Sequence, residues 1–430
     1  MNESAANRAT LLLTTFKYPY AKGEPFLTAE LPYLRQHFDR ILVQPVIGMP
    51  EKRDLPEGFE LCAPVYHEKG RKAFLAAGLL KPAVLLAAAR EARRLAKTGH
   101  AVDMQRILVW AVTRHALERS EGVQRLLAAR GPKAAYAYWG HTPALASGRL
   151  ARAGIPFAVR FHRVDLYHYG AHTYVEGKSR PQSFPWREDI AAADRLIFIS
   201  GHGRDYYGET WNVPDFDRKA SVSRLGTSDA GHCGRARQPG DPFVLVSCSR
   251  ISPVKQVHLI GQMAAEMAKL GRSVVWHHFG VGDHAPSLQV IEELKAQPGL
   301  DIRLHGWVQN PELMEFYRTT PVDLFANLSL SEGVPVSIME AISFDIPVLA
   351  TAVDGTPEAV VEGQSGFLCS LDEASCSPAL ARRIYQAMSQ QETERTLAPR
   401  KLWEERFDAE RNFAEHAADL AALAGRVVAT

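Results

Sequence analysis

Short apolar runs alternating with longer stretches of helical periodicity decide what this chain can fold into. ATLLLTTF (9–16) reads as a first buried strand and RILVQPVI (40–47) as a second. Between them, PFLTAELPYLRQHF spaces its apolar residues as a helix does. AAYAYW (134–139), PFAVRF (156–161) and RLIFIS (195–200) follow, each bounded by turn residues. Strands separated by helices imply a parallel sheet, because parallel neighbours need a long crossover. The alternation pauses at SDAGHCGRARQPGDP (228–242), which holds Gly, Pro and charge but no apolar period and reads as a linker. It restarts with PFVLVSCS (242–249), SVVWHHFG (273–280), DIRLHGWV (301–308), PVDLFANLS (321–329) and IPVLAT (346–351), with helical segments such as HLIGQMAAEMAKL (258–270) between. From about Ala379 to Val428 the pattern is helical. Two successive α/β units are therefore expected, and 430 residues suffice for two cores. In open α/β sheets, ligands sit beyond the carboxyl ends of the strands.

The formal net charge of +2 gives no whole-molecule attraction to nucleic acid, so no nucleic-acid partner is expected. The average hides a local excess: residues 66–130 carry 13 Lys or Arg against 5 acids. RKAFLAAGLLKPAVLLAAAREARRLAK within it mixes apolar runs with cations as an interfacial helix does, so 69–130 is a candidate for peripheral contact with an anionic membrane. Ordinary helices with a solvated face explain the segment equally well. Cysteines at 62, 233, 248, 369 and 376 form no CxxC, which points away from zinc or a disulfide framework and towards a reducing cytoplasm. The first sixteen residues lack a signal-peptide pattern, and no stretch has the roughly 18 apolar residues of a spanning helix. The expected location is cytoplasmic, with the inner membrane face as a further possibility.

The densest motif is NLSLSEGVPVSIMEAISFDIPVLATAVDGTPEAVVEGQSGFL (327–368). A strand ends near Leu328, a loop SEGVP follows, and a helix starts about Val336. Gly333 lets backbone approach a ligand and Pro335 suits a helix start. The N–H groups at that helix end form a seat for a pyrophosphate. Glu332 and Glu340 stand on either side of the loop, where both carboxylates can accept hydrogen bonds from sugar hydroxyls. In VSCSRISPVKQVHLI (246–260), Arg250 and Lys255 lie beyond a strand end, where fixed cations can neutralise a departing diphosphate.

These blocks resemble glycosyltransferase family 4, retaining enzymes with the GT-B architecture. The resemblance rests on Ser331-Glu332-Gly333, Pro335, Glu340-Ala341, Pro347-Val348, Ala350-Thr351 and Gly355-Thr356-Pro357-Glu358, with Ser249-Arg250 and Lys255 upstream. Asp345 and Asp354 depart from the family's usual glycines. The implied fold is α/β: two Rossmann-like α/β/α domains facing a central cleft. The implied division is an acceptor-binding domain over 1–228, a linker over 229–242, a nucleotide-sugar-binding domain over 243–400, and a final helix over 401–430 packing back on the first domain. YAYWGH (136–141), VRFHRVDLY (159–167) and LIFISGHG (196–203) resemble the polysaccharide-building branch.

By that resemblance, His162, Glu332, Arg250 and Lys255 form the catalytic set. Glu340, Gly333, Val334, Pro335, Asp165 and Gly23 bind the donor. Gly23 opens a Gly23-Glu24-Pro25-Phe26 variant of the family's Gly-Gly loop. The implied reaction transfers a hexose-type sugar, with retention, from a UDP- or GDP-linked donor to a hydroxyl of a glycan or lipid-linked acceptor. No metal or cofactor is implied, since Arg250 and Lys255 take the place of a cation. A sugar-phosphate synthase or phosphorylase, or a non-catalytic sugar-binding protein, would use the same fold. Gly280-x-Gly282 resembles a dinucleotide fingerprint, but no acidic residue closes a compact βαβ unit. Asp215-x-Asp217 matches a metal motif that arises often by chance. His277 and His278 neighbour each other on a strand and point to opposite faces, so they cannot share a metal.

Overall fold

The computed structural model describes residues 9–21, 24, 26–100, 102–167, 184–233, 238, 240–394 and 396–425. The chain divides into two compact units: 1–223 with 413–430, and 224–412.

The first unit holds β1 (Thr10–Thr15), α1 (Leu27–His37), β2 (Arg40–Pro45), β3 (Ile47–Gly48), β4 (Phe59–Leu61) and β5 (Tyr66–His67). It continues through α2 (Arg71–Leu79), α3 (Pro82–Lys97), α4 (Met104–Leu117), α5 (Glu121–Ala128), β6 (Lys133–Ala137), α6 (Ser147–Arg152) and β7 (Phe157–Phe161). Then come α7 (Arg163–Leu166), α8 (Arg187–Ala191), β8 (Arg195–Phe198), α9 (Gly201–Thr210), α10 (Phe216–Lys219) and β9 (Ala220–Val222). Seven strands form one sheet in the order β4-β2-β1-β6-β7-β8-β9, and every pairing is parallel. Side chains alternate across β1. Leu12 joins Leu42 and the helical residues Val84, Ala88, Ile107 and Val112 on one face. Leu11 and Leu13 join Leu27, Leu31 and Leu34 of α1, with Leu420 and Leu423, on the other.

The second unit holds β10 (Phe243–Cys248), α11 (Val257–Lys269), β11 (Val274–Phe279), α12 (Ala285–Leu294), β12 (Leu300–Gly306), α13 (Asn310–Thr319) and β13 (Leu324–Asn327). It ends with α14 (Val336–Ser343), β14 (Val348–Thr351), β15 (Gly366–Cys369), α15 (Leu371–Ser375), α16 (Ser377–Glu394) and α17 (Pro399–Arg406), while α18 (Ala409–Ala424) runs on into the first unit. Its sheet is parallel throughout, in the order β12-β11-β10-β13-β14-β15. No cysteine is disulfide-bonded.

Two boundaries differ from the sequence expectation. The second unit starts at Arg224, inside the expected first domain, and the start of the expected linker is fastened to it. Arg400 meets Asp229 at 2.6 Å and the Gly231 carbonyl at 3.3 Å, and Arg318 donates to the Ala230 carbonyl at 3.0 Å. Charged side chains that bind backbone hold a Gly-rich segment that has no apolar period of its own. The expected final helix over 401–430 is also two elements. Leu402 and Trp403 are buried in the second unit, whereas residues from Phe413 belong to the first.

The first unit encloses an ion network. Arg160 on β7 and Glu30 on α1 are both fully buried and joined at 2.5 Å, and His416 Nε2 lies 3.1 Å from the other Glu30 oxygen. Burial alone would raise the Glu30 pKa, but Arg160 and then His416 outweigh it and bring it to about 2. The contribution of Glu30 to stability is therefore present above pH about 4.5, its ordinary value, and is lost as pH falls towards about 2. Arg160→Met strands the carboxylate, and urea unfolding should show a loss of about 3–5 kcal/mol. A loss below about 1 kcal/mol would show that water reaches Glu30.

Candidate active site

In the second unit the site residues converge on the carboxyl ends of β10, β13 and β14. The turn after β10 is clamped to the turn after β11. Ser249 N–H donates to the Phe279 carbonyl at 2.9 Å, and Ile251 N–H to the Val281 carbonyl at 3.2 Å. A Cβ on Gly280 would stand 1.9 Å from the Ser249 carbonyl oxygen, and one on Gly282 2.0 Å from that of Ile251. Those glycines allow two loops to touch, which explains the fingerprint-like spacing without a dinucleotide. Arg250 projects from the clamped turn, exposed, with Asp283 at 3.4 Å. Such an exposed pair is weak, so Arg250 is cheaply transferred to another anion.

Lys255 turns the other way and its ammonium bonds Glu332, which is 6% exposed. The same Glu332 oxygen accepts from Asn327 Nδ2 at 3.2 Å. Burial pushes the Glu332 pKa up, but Lys255 with Ser329 and Asn327 pulls harder, and the net shift is downward. Glu332 is a carboxylate at neutral pH. Its N–H donates to Asp354 Oδ2 at 3.0 Å, and the Ser331 hydroxyl bonds the same oxygen. Asp354 has φ +45°, and a Cβ on the next residue, Gly355, would stand 2.0 Å from the Gly333 carbonyl oxygen. The unusual Asp354 is thus a fastener for the SEG loop.

Gly333, Val334 and Pro335 are buried in the approach to α14, whose N-cap is Pro335. Glu340 lies in the middle of that helix, where Asn310 Nδ2 donates to it at 2.6 Å. Burial raises its pKa to about 7, with Asn310 acting against the rise. Glu332 and Glu340 therefore sit in opposite electrostatic surroundings within one motif.

In the first unit, His162 follows β7 and is 7% exposed. Its Nε2 lies 3.0 Å from the Tyr138 carbonyl, and its ring is 4.4 Å from that of Trp139. Burial, then the nearby Arg160, lowers its pKa to about 3, so the ring is neutral at pH 7. Asp165 follows on α7. It is fully buried, and Oδ2 accepts the N–H of His162 at 2.9 Å and that of Gly140 at 3.1 Å. Those bonds tie the β6 and β7 strand ends together. Burial raises its pKa to about 7 against those two amides. Gly23 lies outside the described residues.

Sequence reasoning passed over Glu24, His141 and Trp139. Glu24 is 7% exposed, with φ +52°. Its carboxylate accepts the N–H groups of Phe16 at 2.7 Å, Lys17 at 2.8 Å and Tyr18 at 2.5 Å, and Trp139 Nε1 at 2.7 Å. His141 Nε2 lies 3.7 Å from Asp165 Oδ1, and burial takes its pKa to about 3. The YAYWGH segment was the available signal, and its aromatic packing was not legible from spacing. Asp215 caps α10 and pairs with Arg218 at 3.2 Å, both exposed. His278 Nδ1 lies 2.8 Å from Ser247 Oγ and His277 Nδ1 2.9 Å from His305 Nε2. Among the described residues no cluster of His, Cys, Asp or Glu could hold a metal.

Two parallel α/β units, the second with a basic turn beyond β10, Glu332 beyond β13 and Glu340 on the following helix, define the GT-B architecture. Residues 234–401 match the model of the family glycosyl transferases group 1. The putative colanic acid biosynthesis glycosyltransferase WcaL of Salmonella typhimurium is 27% identical over 172 residues, 39% of this chain and 41% of that protein. The chain thus spans less than half the length of this curated relative. The lipopolysaccharide outer core galactosyltransferase WaaB superposes with a TM-score of 0.64 over 97% of this chain and 100% of its own, at 14% identity. Anabaena Alr3699/HepE, solved with UDP and glucose, superposes with a TM-score of 0.61 over 97% and 100%, at 16% identity.

The raised Glu340 pKa has a stability signature. The folded chain holds the proton more tightly than the unfolded one, so this contribution is full below pH about 4.5 and is lost as pH rises through about 7. Glu340→Gln should flatten thermal stability across that window, by roughly 1 kcal/mol after allowance for solvent screening. An unchanged slope would place Glu340 in water.

Proposed function

We propose that the chain is a retaining glycosyltransferase that moves a hexose-type sugar from a UDP- or GDP-linked donor to a hydroxyl acceptor. The acceptor is a glycan or a lipid-linked glycan of a cell-surface polysaccharide or glycolipid. The observation that carries this reading is the pair of half-buried Lys255 with buried Glu332 beside the N-terminus of α14. A fixed cation, a second cation on a loosely engaged Arg250, and a helix N-terminus together suit a diphosphate.

In this reading Arg250, Lys255 and the α14 amides hold the diphosphate, and no metal is required. Gly333, Val334 and Pro335 border the donor, and Glu340 accepts hydrogen bonds from the ribose diol. Glu332, kept ionised by Lys255, receives a hexose hydroxyl rather than attacking carbon. The acceptor oxygen bonds to the anomeric carbon on the face from which the phosphate leaves. The carbon–oxygen bond to phosphate breaks, and the acceptor proton passes to a leaving phosphate oxygen. His162, neutral and held by Tyr138 and Asp165, presents an imidazole that can hydrogen-bond sugar hydroxyls without competing for the proton. UDP and glucose in Alr3699/HepE, and polysaccharide synthesis in the name of WcaL, support the donor and acceptor classes.

The test is thermal shift and nucleotide release with UDP-, GDP-, ADP- and CDP-sugars, in EDTA. One nucleotide should stabilise the wild type, and Glu340→Ala should abolish the shift. Lys255→Ala should cut turnover about hundredfold or more, the usual cost of removing a fixed stabiliser of transition-state charge. Sugar 1-phosphate formed from inorganic phosphate would identify a phosphorylase instead. No response to any nucleotide sugar would sink the transferase reading.

A further inference from the structure

The bend between α2 and α3 is a surface for which the transfer reaction has no use. These helices rest on α4 by one side only. Gly78 is pressed on Val112 so closely that a Cβ would stand 2.3 Å from its methyl, and Val84, Ala88 and Leu95 are buried. On the outer side Leu80 is 83% exposed, Leu86 53% and Leu85 48%. Exposed Ala76, Ala77, Pro82, Ala83 and Ala89 extend the apolar surface around them. Large aliphatic side chains clustered in water mark a contact surface.

The charge along α2 and α3 is predominantly positive, with exposed Glu188 paired to Arg94 at 2.5 Å as the acid beside it. Arg71, Lys72, Lys81, Arg90, Arg93 and Lys97 are exposed. The one acid within 71–97, Glu91, is buried and bonds Arg94 at 2.6 Å. In the same unit an open pocket of about 220 Å³ is lined by Glu118, Arg119, Gln124, Arg149 and Arg152. Glu118 is already engaged by Arg114 at 3.2 Å and Arg152 at 3.6 Å, which leaves the lining with excess positive charge. The helix α4 links the two: Gly78 of α2 packs on its Val112, and its His115 lies 3.2 Å from Arg119 at the pocket edge. No single helix among the described residues is long and apolar enough to cross a membrane, and α2 and α3 meet at a bend of 87°.

We propose that the α2–α3 bend docks on an anionic lipid bilayer, with Leu80, Leu85 and Leu86 entering the headgroup region and the flanking cations and the arginine pocket meeting lipid phosphates. An apolar centre ringed by cations is the composition of an interfacial surface. The same ring disfavours a second copy of this chain, which would bring like charges together. This docking is independent of the donor site in the second unit.

The experiment is flotation of the full chain with vesicles of phosphatidylcholine alone or mixed equally with phosphatidylglycerol. The wild type should float with the mixed vesicles, less so at high salt, and stay behind with phosphatidylcholine. Leu80→Gln with Leu86→Gln should lose most of the bound fraction. Lys81→Gln and Arg93→Gln should each weaken binding about fivefold. All four positions are exposed, so melting temperature and nucleotide-sugar shifts should stay at wild-type values. Wild type left unbound, equal flotation with both vesicles, or variants floating like wild type would overturn the proposal. A dimer in free solution that the double variant converts to monomer would also overturn it. Flotation without any nucleotide-sugar response would instead remove the transferase reading and leave the docking surface standing.

Discussion

Glu332 is the constraint around which the second unit's site is arranged. A carboxylate taken out of water costs several kcal/mol unless a cation and hydrogen bonds meet it. Lys255 meets it from the turn after β10, and Asn327 meets it from the end of β13. The backbone of the same residue is held by Asp354, beyond β14. Three separate strand ends are thereby drawn to one point. Such a pair adds little net stability, but its geometric demands place Arg250, Lys255 and the start of α14 within one region.

The first unit solves the same problem with different means. Glu24 and Asp165 are buried carboxylates met chiefly by backbone amides, three for Glu24 and two for Asp165. Amides hold a carboxylate without adding a charge, and each one pins the loop that donates it. His162 is consequently fixed from both sides, by Asp165 at its backbone and by Tyr138 at its ring. Arg187 completes this region, donating to the Asp165 carbonyl at 2.6 Å while its guanidinium lies 4.2 Å from the Phe184 ring.

What could be read from sequence follows from how local each arrangement is. The segment 327–368 places strand end, loop, helix and turn in chain order, so its spacing carried most of the second unit's site. The central strands were legible because their apolar runs are unbroken. β4 and β9 have three residues each, and Ala220–Val222 is only half-buried, so no period marked it. Glu24 was illegible for another reason. Its bond to Trp139 joins residues 115 apart, and no local pattern encodes such a meeting. Asp165 was visible as a motif residue, but its complete burial and its two amide partners were not.

The paired glutamates show how far a motif can be taken without its surroundings. Spacing alone sets Glu332 and Glu340 eight residues apart in a single signature. The fold separates them: Lys255 holds one ionised, while burial with Asn310 as partner lifts the other to about 7. Divergent surroundings are how two carboxylates in one site acquire different tasks. An ionised Glu332 is a permanent acceptor tied to a cation. In the proposed reading, Glu340 ionises when a hydroxyl donor arrives to share its charge. The division of labour lies in the residues around the motif, and Lys255 and Asn310 are its terms.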